Sequence, residues 1–128
     1  MHETIQPEGW PSPKGYSNGI LASGRVLMVG GQVGWAANGQ FEKKDLLGQF
    51  DQALANVCEV LSAAGAAPHH VVRMTIYVTD LNAYRAAVKS LGPVWRSRMG
   101  RHYPAMALLG VTGLVERDAL IEIEATAI

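Results

Sequence analysis

Little in this chain points to redox chemistry, to a metal or to a membrane. Cys58 is the only cysteine among 128 residues, which excludes an internal disulfide and leaves no thiolate cluster for zinc or an iron–sulfur centre. Charge of one sign is missing as well: 11 Lys and Arg stand against 11 Asp and Glu, so no basic footprint invites nucleic acid or an anionic bilayer. Aromatic residues make up only 7% of the chain, too few for an aromatic-lined platform on which bases could stack. No apolar run approaches the roughly 20 residues that a membrane span needs. The opening Met1-His2-Glu3-Thr4-Ile5-Gln6-Pro7 has no basic stretch followed by an apolar core, so the expectation is a cytoplasmic protein without membrane contact.

What is present suits one compact domain over residues 1–128, since 48% of the residues are hydrophobic and a chain of this size buries roughly two thirds of its extended surface. Pro7, Pro11 and Pro13 with Gly9 and Gly15 break the first fifteen residues too often for a helix or a central strand, so this arm is expected on the surface. Tyr16 to Ser23 and Arg25 to Val33 read as a hairpin turning at Ser23-Gly24, with Val26, Leu27, Met28 and Val29 buried on its second arm. Gly30-Gly31 closes that arm, either as a plain bulge or as a place where backbone N–H groups approach a ligand. Asn38-Gly39 marks a turn, and Gln40 to Glu42 is expected to form a brief third strand.

Leu46, Leu47, Phe50, Leu54, Val57 and Leu61 recur at spacings of three and four, which predicts a helix capped by Asp45, closed by Gly65, and carrying Gln49, Gln52, Asn56 and Glu59 on its polar side. Cys58 lies within that helix, where a packed thiol is the simpler reading than a nucleophile. Val71 to Val78 is almost entirely β-branched or aromatic and reads as a strand. His69 and His70 precede it; adjacent residues entering a strand point apart, and no acidic or cysteine partner stands at ligand spacing, so no metal site is expected. A second helix begins near Asn82 behind a cap at Asp80 or Asn82, turns Tyr84, Ala87, Val88 and Leu91 inward, and is kinked or restarted at Gly92-Pro93 before Val94, Trp95 and Met99. Arg96, Arg98, Arg101 and His102 then form a basic run, either a solvated helix end or the source of one arginine that reaches a cleft.

The last third reads as two strands, Tyr103 to Leu114 and Ala119 to Ile128, joined by the charged loop Val115-Glu116-Arg117-Asp118. Ile121, Ile123 and Ala125 alternate with Glu122, Glu124 and Thr126, so one face enters a core while the other presents carboxylates. Those carboxylates are either a solvated face or an acid held rigidly beside a pocket. The whole order of elements implies an α+β fold: a mixed β-sheet with two helices packed on one face, built from two crossovers and antiparallel hairpins. The uncovered face is expected to be apolar enough to drive self-association.

Tyr103-Pro104-Ala105-Met106, a strand, a charged loop and Ile121-Glu122-Ile123-Glu124-Ala125 together resemble the C-terminal signature of the Rid family of small imine deaminases, also called YjgF-like proteins. Three further segments resemble that family in order: Gly15-Tyr16-Ser17-Asn18-Gly19, Gly30-Gly31-Gln32-Val33, and Val72 through Asn82. The resemblance implies a chorismate-mutase-like homotrimer with an inner barrel, small-molecule ligands in clefts between subunits, and no cofactor or metal. It also implies hydrolysis of reactive enamines and imines to carbonyl compounds and ammonia. On that pattern Glu122 orients or activates water, Tyr16, Gly31 and Tyr103 line the pocket, and Met106 and Leu108 stand where the family carries an arginine and often a cysteine.

Two departures bear on mechanism. The family arginine holds the substrate carboxylate as a bidentate pair, which the thioether of Met106 cannot do, and the loop before Glu122 is one residue longer than usual. Standard 2-imino acids are therefore expected to bind poorly unless Arg98 or Arg101 replaces the guanidinium. A divergent enamine or imine deaminase and a non-catalytic ligand-binding trimer are both compatible with these residues, while the neutral composition argues against a ribonuclease, an activity also attributed to relatives.

Overall fold

The computed structural model describes residues 2–128. Eight main elements follow one another: β1 (His2–Ile5), β2 (Gly19–Ala22), β3 (Leu27–Val33), α1 (Leu46–Ala63), β4 (Val71–Val78), α2 (Leu81–Met99), β5 (Ala105–Gly110) and β6 (Ile121–Ala127). The central sheet has the order β3-β6-β4-β5. β4 and β5 are parallel, and β6 runs antiparallel between β3 and β4. Both helices lie on one face, with one contiguous core between them and the sheet. The α+β reading with a mixed sheet and one helical face therefore holds.

Connectivity departs from the sequence reading. Tyr16 to Val33 does not fold as a hairpin: β2 pairs with β1 in a separate two-stranded ribbon, and β3 pairs with β6. The reason lies in the partners available. His2–Ile5 stands ahead of the prolines that break the rest of the arm and can offer β2 a full ladder, which leaves the edge of β3 free for β6. The ribbon is tied to the sheet at both ends, since Ser17 N–H donates to the Pro104 carbonyl at 3.0 Å and His2 Nε2 bonds the Ile128 carbonyl at 2.9 Å. The last two strands are not neighbours either, because β5 sits on the far side of β4 from β6. Gln40 to Glu42 forms no strand; the turn there is closed instead by Ala36 N–H donating to Gln40 O at 2.8 Å, and Phe41 leans on Trp35.

Helix α1 buries the expected stripe, with Phe50, Leu54, Val57 and Leu61 all inside. Asp45 occupies the cap position without a side-chain bond, and Gly65 takes the left-handed conformation at φ 74°. Gln49, expected on the polar side, is instead 1% exposed. Its amide is fully used: Nε2 donates to Lys43 O at 3.1 Å and Asp118 O at 2.8 Å, and Oε1 accepts from Leu120 N–H at 2.7 Å. Gly34 lies flat on it, where a Cβ would come within 2.8 Å of the Gln49 Cα, so only glycine allows this approach. The burial is favourable because every polar atom of the amide is satisfied.

Helix α2 starts with Asp80 Oδ1 accepting from Ala83 N–H at 3.0 Å and continues through Pro93 to Met99 without restarting. The proline deprives the Lys89 carbonyl of its donor, but Lys89 is exposed, so water can take that bond. Leu91, Trp95 and Met99 are buried, whereas Val88, expected inside, is exposed. Arg98 joins the two helices through a bidentate pair with Asp51, at 2.8 and 3.2 Å. No helix among the described residues is long and apolar enough to cross a membrane.

The open face of the sheet is only in part the apolar surface expected from strand composition. Met28 is 72% exposed there and Val26 lies exposed beside it, so the run Val26 to Val29 is buried only at Val29 and partly at Leu27. Alongside stand Arg73, Thr75, Tyr77, Glu122, Glu124 and Thr126, placed by alternation on the side opposite Met74, Ile76, Ile121 and Ile123.

Candidate functional site

The sequence-derived candidates fall into two groups on opposite faces of one sheet. On the helix side, β5 sends Met106 and Leu108 toward the core, in register with Met74 and Ile76 of β4. Met106 and Tyr103 line a cavity of about 380 Å³ between β5, α2 and the chain before Ser17, where Lys14 and Gly15 form part of the wall. The Tyr103 ring stacks on Trp95 at 6.0 Å and 8°, and Trp95 Nε1–H is fixed by the His102 carbonyl at 3.1 Å. Tyr84 is a further lining residue, and burial pushes its hydroxyl above the ordinary phenol range. Tyr16 is exposed next to Gly15, where the Ser17 bridge to Ala105 holds it beside the start of β5.

On the open side, β6 holds Glu122 opposite Tyr77 of β4 and Val33 of β3. Its carboxylate lies over Gly31, so close that a Cβ on Gly31 would come within 2.8 Å of the carboxyl carbon. The register of β3 against β6 shifts between Val29 and Gln32, which makes Gly30-Gly31 a bulge, and the missing side chain at Gly31 is what leaves room for the acid. Tyr77 hydroxyl donates to Glu124, and that bond, with Glu122 nearby, holds the phenol protonated above its ordinary range. The one ion pair among the described residues is that of Arg98 with Asp51, and it does not involve Glu122.

The basic run resolves into separate roles. Arg98 is committed to Asp51, and its guanidinium keeps that carboxyl below the usual range. Arg96, in contrast, lines the cavity together with Met106, a position the run of charges alone could not single out. Cys58 is half-buried with its thiol directed at the Arg98 carbonyl. Burial raises its pKa, which suits packing and not nucleophilic attack. His70 Nδ1 accepts from Ala67 N–H at 2.9 Å in the short turn before β4.

A mixed four-stranded sheet with both helices on one face makes this a small α+β protein. The chain belongs to the family described as Endoribonuclease L-PSP, whose model matches residues 10–128. A crystal structure of a Rid-family protein from Yersinia pestis is similar at 39% identity and a TM-score of 0.86, covering 98% of this chain and 97% of that one. A RutC family protein of Pyrococcus horikoshii is 32% identical over 99% of this chain and 98% of its own length. The 2-iminobutanoate/2-iminopropanoate deaminase of Capra hircus is 32% identical over 88% of this chain and 79% of that protein.

Proposed function

We propose that this chain is a divergent Rid-like deaminase that hydrolyses an enamine or imine other than the standard 2-imino acids, in a cleft shared between copies of itself. The observation that carries the reading is the split of the candidate residues. Glu122 and Met106 project from opposite faces of the same sheet, and side chains on opposite faces cannot close on one small molecule. A single site that uses both groups needs a second copy, and the exposed Met28, Leu109 and Val26 supply apolar area for such a contact. A homotrimer meets this need and would have a mass of about 41 kDa, three times 13.7 kDa.

In the reaction, Glu122 takes a proton from water as the oxygen adds to the imine carbon. The nitrogen gains a proton, the carbon–nitrogen bond breaks, and a carbonyl compound and ammonia leave. General acid–base help of this kind contributes about 10²–10⁴ in rate. Similarity to proteins named as imine deaminases supports the chemistry, and Met106 turns the substrate preference away from small 2-imino acids. A ligand-binding trimer without catalysis is the competing reading, favoured by the same Met106.

The test measures release of ammonia from a panel of enamines and imines, together with mass by light scattering. Glu122→Gln should reduce hydrolysis about a hundredfold or more with an unchanged oligomer. Wild-type protein should hardly accelerate loss of 2-aminoacrylate, and Met106→Arg should raise that rate about tenfold, as a charge-assisted pair worth roughly 1.5–3 kcal/mol would. Hydrolysis that survives Glu122→Gln, or a monomer at micromolar concentration, overturns the proposal.

A further inference from the structure

The cavity under β5 carries charge of one sign. Lys14 and Arg96 are cations in its wall, and no carboxylate among the described residues lines it. Its floor and sides are apolar or aromatic, with Met106, Leu91, Trp95 and Tyr103 among the lining residues and the last two rings stacked on each other. Arg96 sits one turn of α2 beyond Gly92, and a Cβ on Gly92 would lie 3.4 Å from its Nη1. The guanidinium therefore folds back along the helix over bare backbone that itself lines the cavity. Arg98 is spent on Asp51, the one ion pair among the described residues, and Arg101 does not line the cavity.

We infer that Arg96, assisted by Lys14, is a carboxylate-binding group that selects an apolar acid for this cavity. The ligand is an aryl-alkyl or long aliphatic carboxylate: its body lies along Met106 and the Trp95–Tyr103 stack, and its acid group meets the guanidinium at the mouth. Moving the cation from strand β5 to helix α2 changes which part of a molecule can be held. A carboxylate next to the reacting carbon would need a cation at position 106, whereas one at the far end of an apolar body is reached from position 96. The volume, about 380 Å³, falls in the roughly 300–1,000 Å³ range of sites that enclose such ligands. The inference rests on the cavity being half of the proposed site, but not on any hydrolysis taking place there.

Phenylpropanoate and phenylpropanol, which share a body and differ in the acid group, separate the contributions when titrated calorimetrically into the intact protein. The acid should bind about tenfold more tightly than the alcohol, as a charge-assisted hydrogen bond predicts, and the advantage should shrink as salt is raised. Arg96→Gln should remove that advantage and leave the affinity for the alcohol unchanged, Arg96→Lys should restore part of it, and Arg101→Gln, with the same change in net charge, should have no effect. Circular dichroism checks that each variant is folded. Equal affinity for acid and alcohol, or equal losses in Arg96→Gln and Arg101→Gln, overturns the inference. A protein that binds the acid through Arg96 yet hydrolyses no imine sinks the deaminase reading alone, and one whose hydrolysis needs Glu122 but which shows no preference for the acid sinks only this inference.

Discussion

Met74 and Thr75 are neighbours on β4, and the strand sends one to each face of the sheet. Met74 meets the helices and is fully buried; Thr75 stands among Arg73, Tyr77 and Glu124 on the open side. Around Met74 the helix face is packed hydrocarbon in which packing decides stability, and it opens only toward β5, into the cavity beneath Met106. The open face mixes apolar patches with carboxylates and an arginine, and its chemistry remains available to a ligand or a second copy. The contrast teaches that one strand can serve stability and function at once, because alternation keeps the two sets of side chains apart.

Substituting the two neighbours in turn separates the two faces most directly. Met74→Ala should destabilise the fold by about 2–5 kcal/mol, the cost of a core cavity, while Thr75→Ala should change the stability of the protomer by less than about 1 kcal/mol. Urea denaturation reads both, and equal losses would mean that the open face is packed as tightly as the core.

Gln49 is a polar group buried on the helix side of the sheet. Gln49→Leu leaves Lys43 O, Asp118 O and Leu120 N–H without their partner, and buried groups left unpaired cost about 1–3 kcal/mol each where water cannot reach them. A net loss of about 2–3 kcal/mol is expected, with faster amide exchange at Leu120, whose carbonyl also accepts from Thr79 N–H ahead of β6. Unchanged exchange there would show that Gln49 does not hold the entry to β6.

The smallest effect belongs to the outer edge of the helices. Arg98 lowers the pKa of Asp51 in the folded protein, so the pair contributes stability that is present above the unfolded carboxyl value and is lost as pH falls through the folded one. Both side chains are more than a third exposed, which limits the contribution to about 0.2–1 kcal/mol. Asp51→Asn should therefore be slightly less stable than wild type near neutral pH and equal to it in acid. A gap that persists in acid would point to packing instead of charge.

Strand β4, both helices and the alternation of β6 were legible in the sequence because each rests on local periodicity: Ile121, Ile123 and Ala125 went inside and Glu122 and Glu124 outside, as a period of two requires. The α+β class followed from the order of those elements. Strand partners were not legible. Whether β2 pairs with β3 or with His2–Ile5, and whether β6 lies beside β5 or between β3 and β4, depends on which edges meet across long stretches of chain, and period alone carries no such information. Gln49 was misassigned for the same reason, since its partners at Asp118 and Leu120 lie far along the chain. Residue types alone marked Glu122 as a candidate acid, and the thioether at Met106 as a group that cannot pair with a carboxylate. That these two face away from each other, and that Arg96 and not Arg98 lines the cavity with Met106, follows from the folded packing, because the helical turn of α2 selects one arginine from a run that looks uniform along the chain.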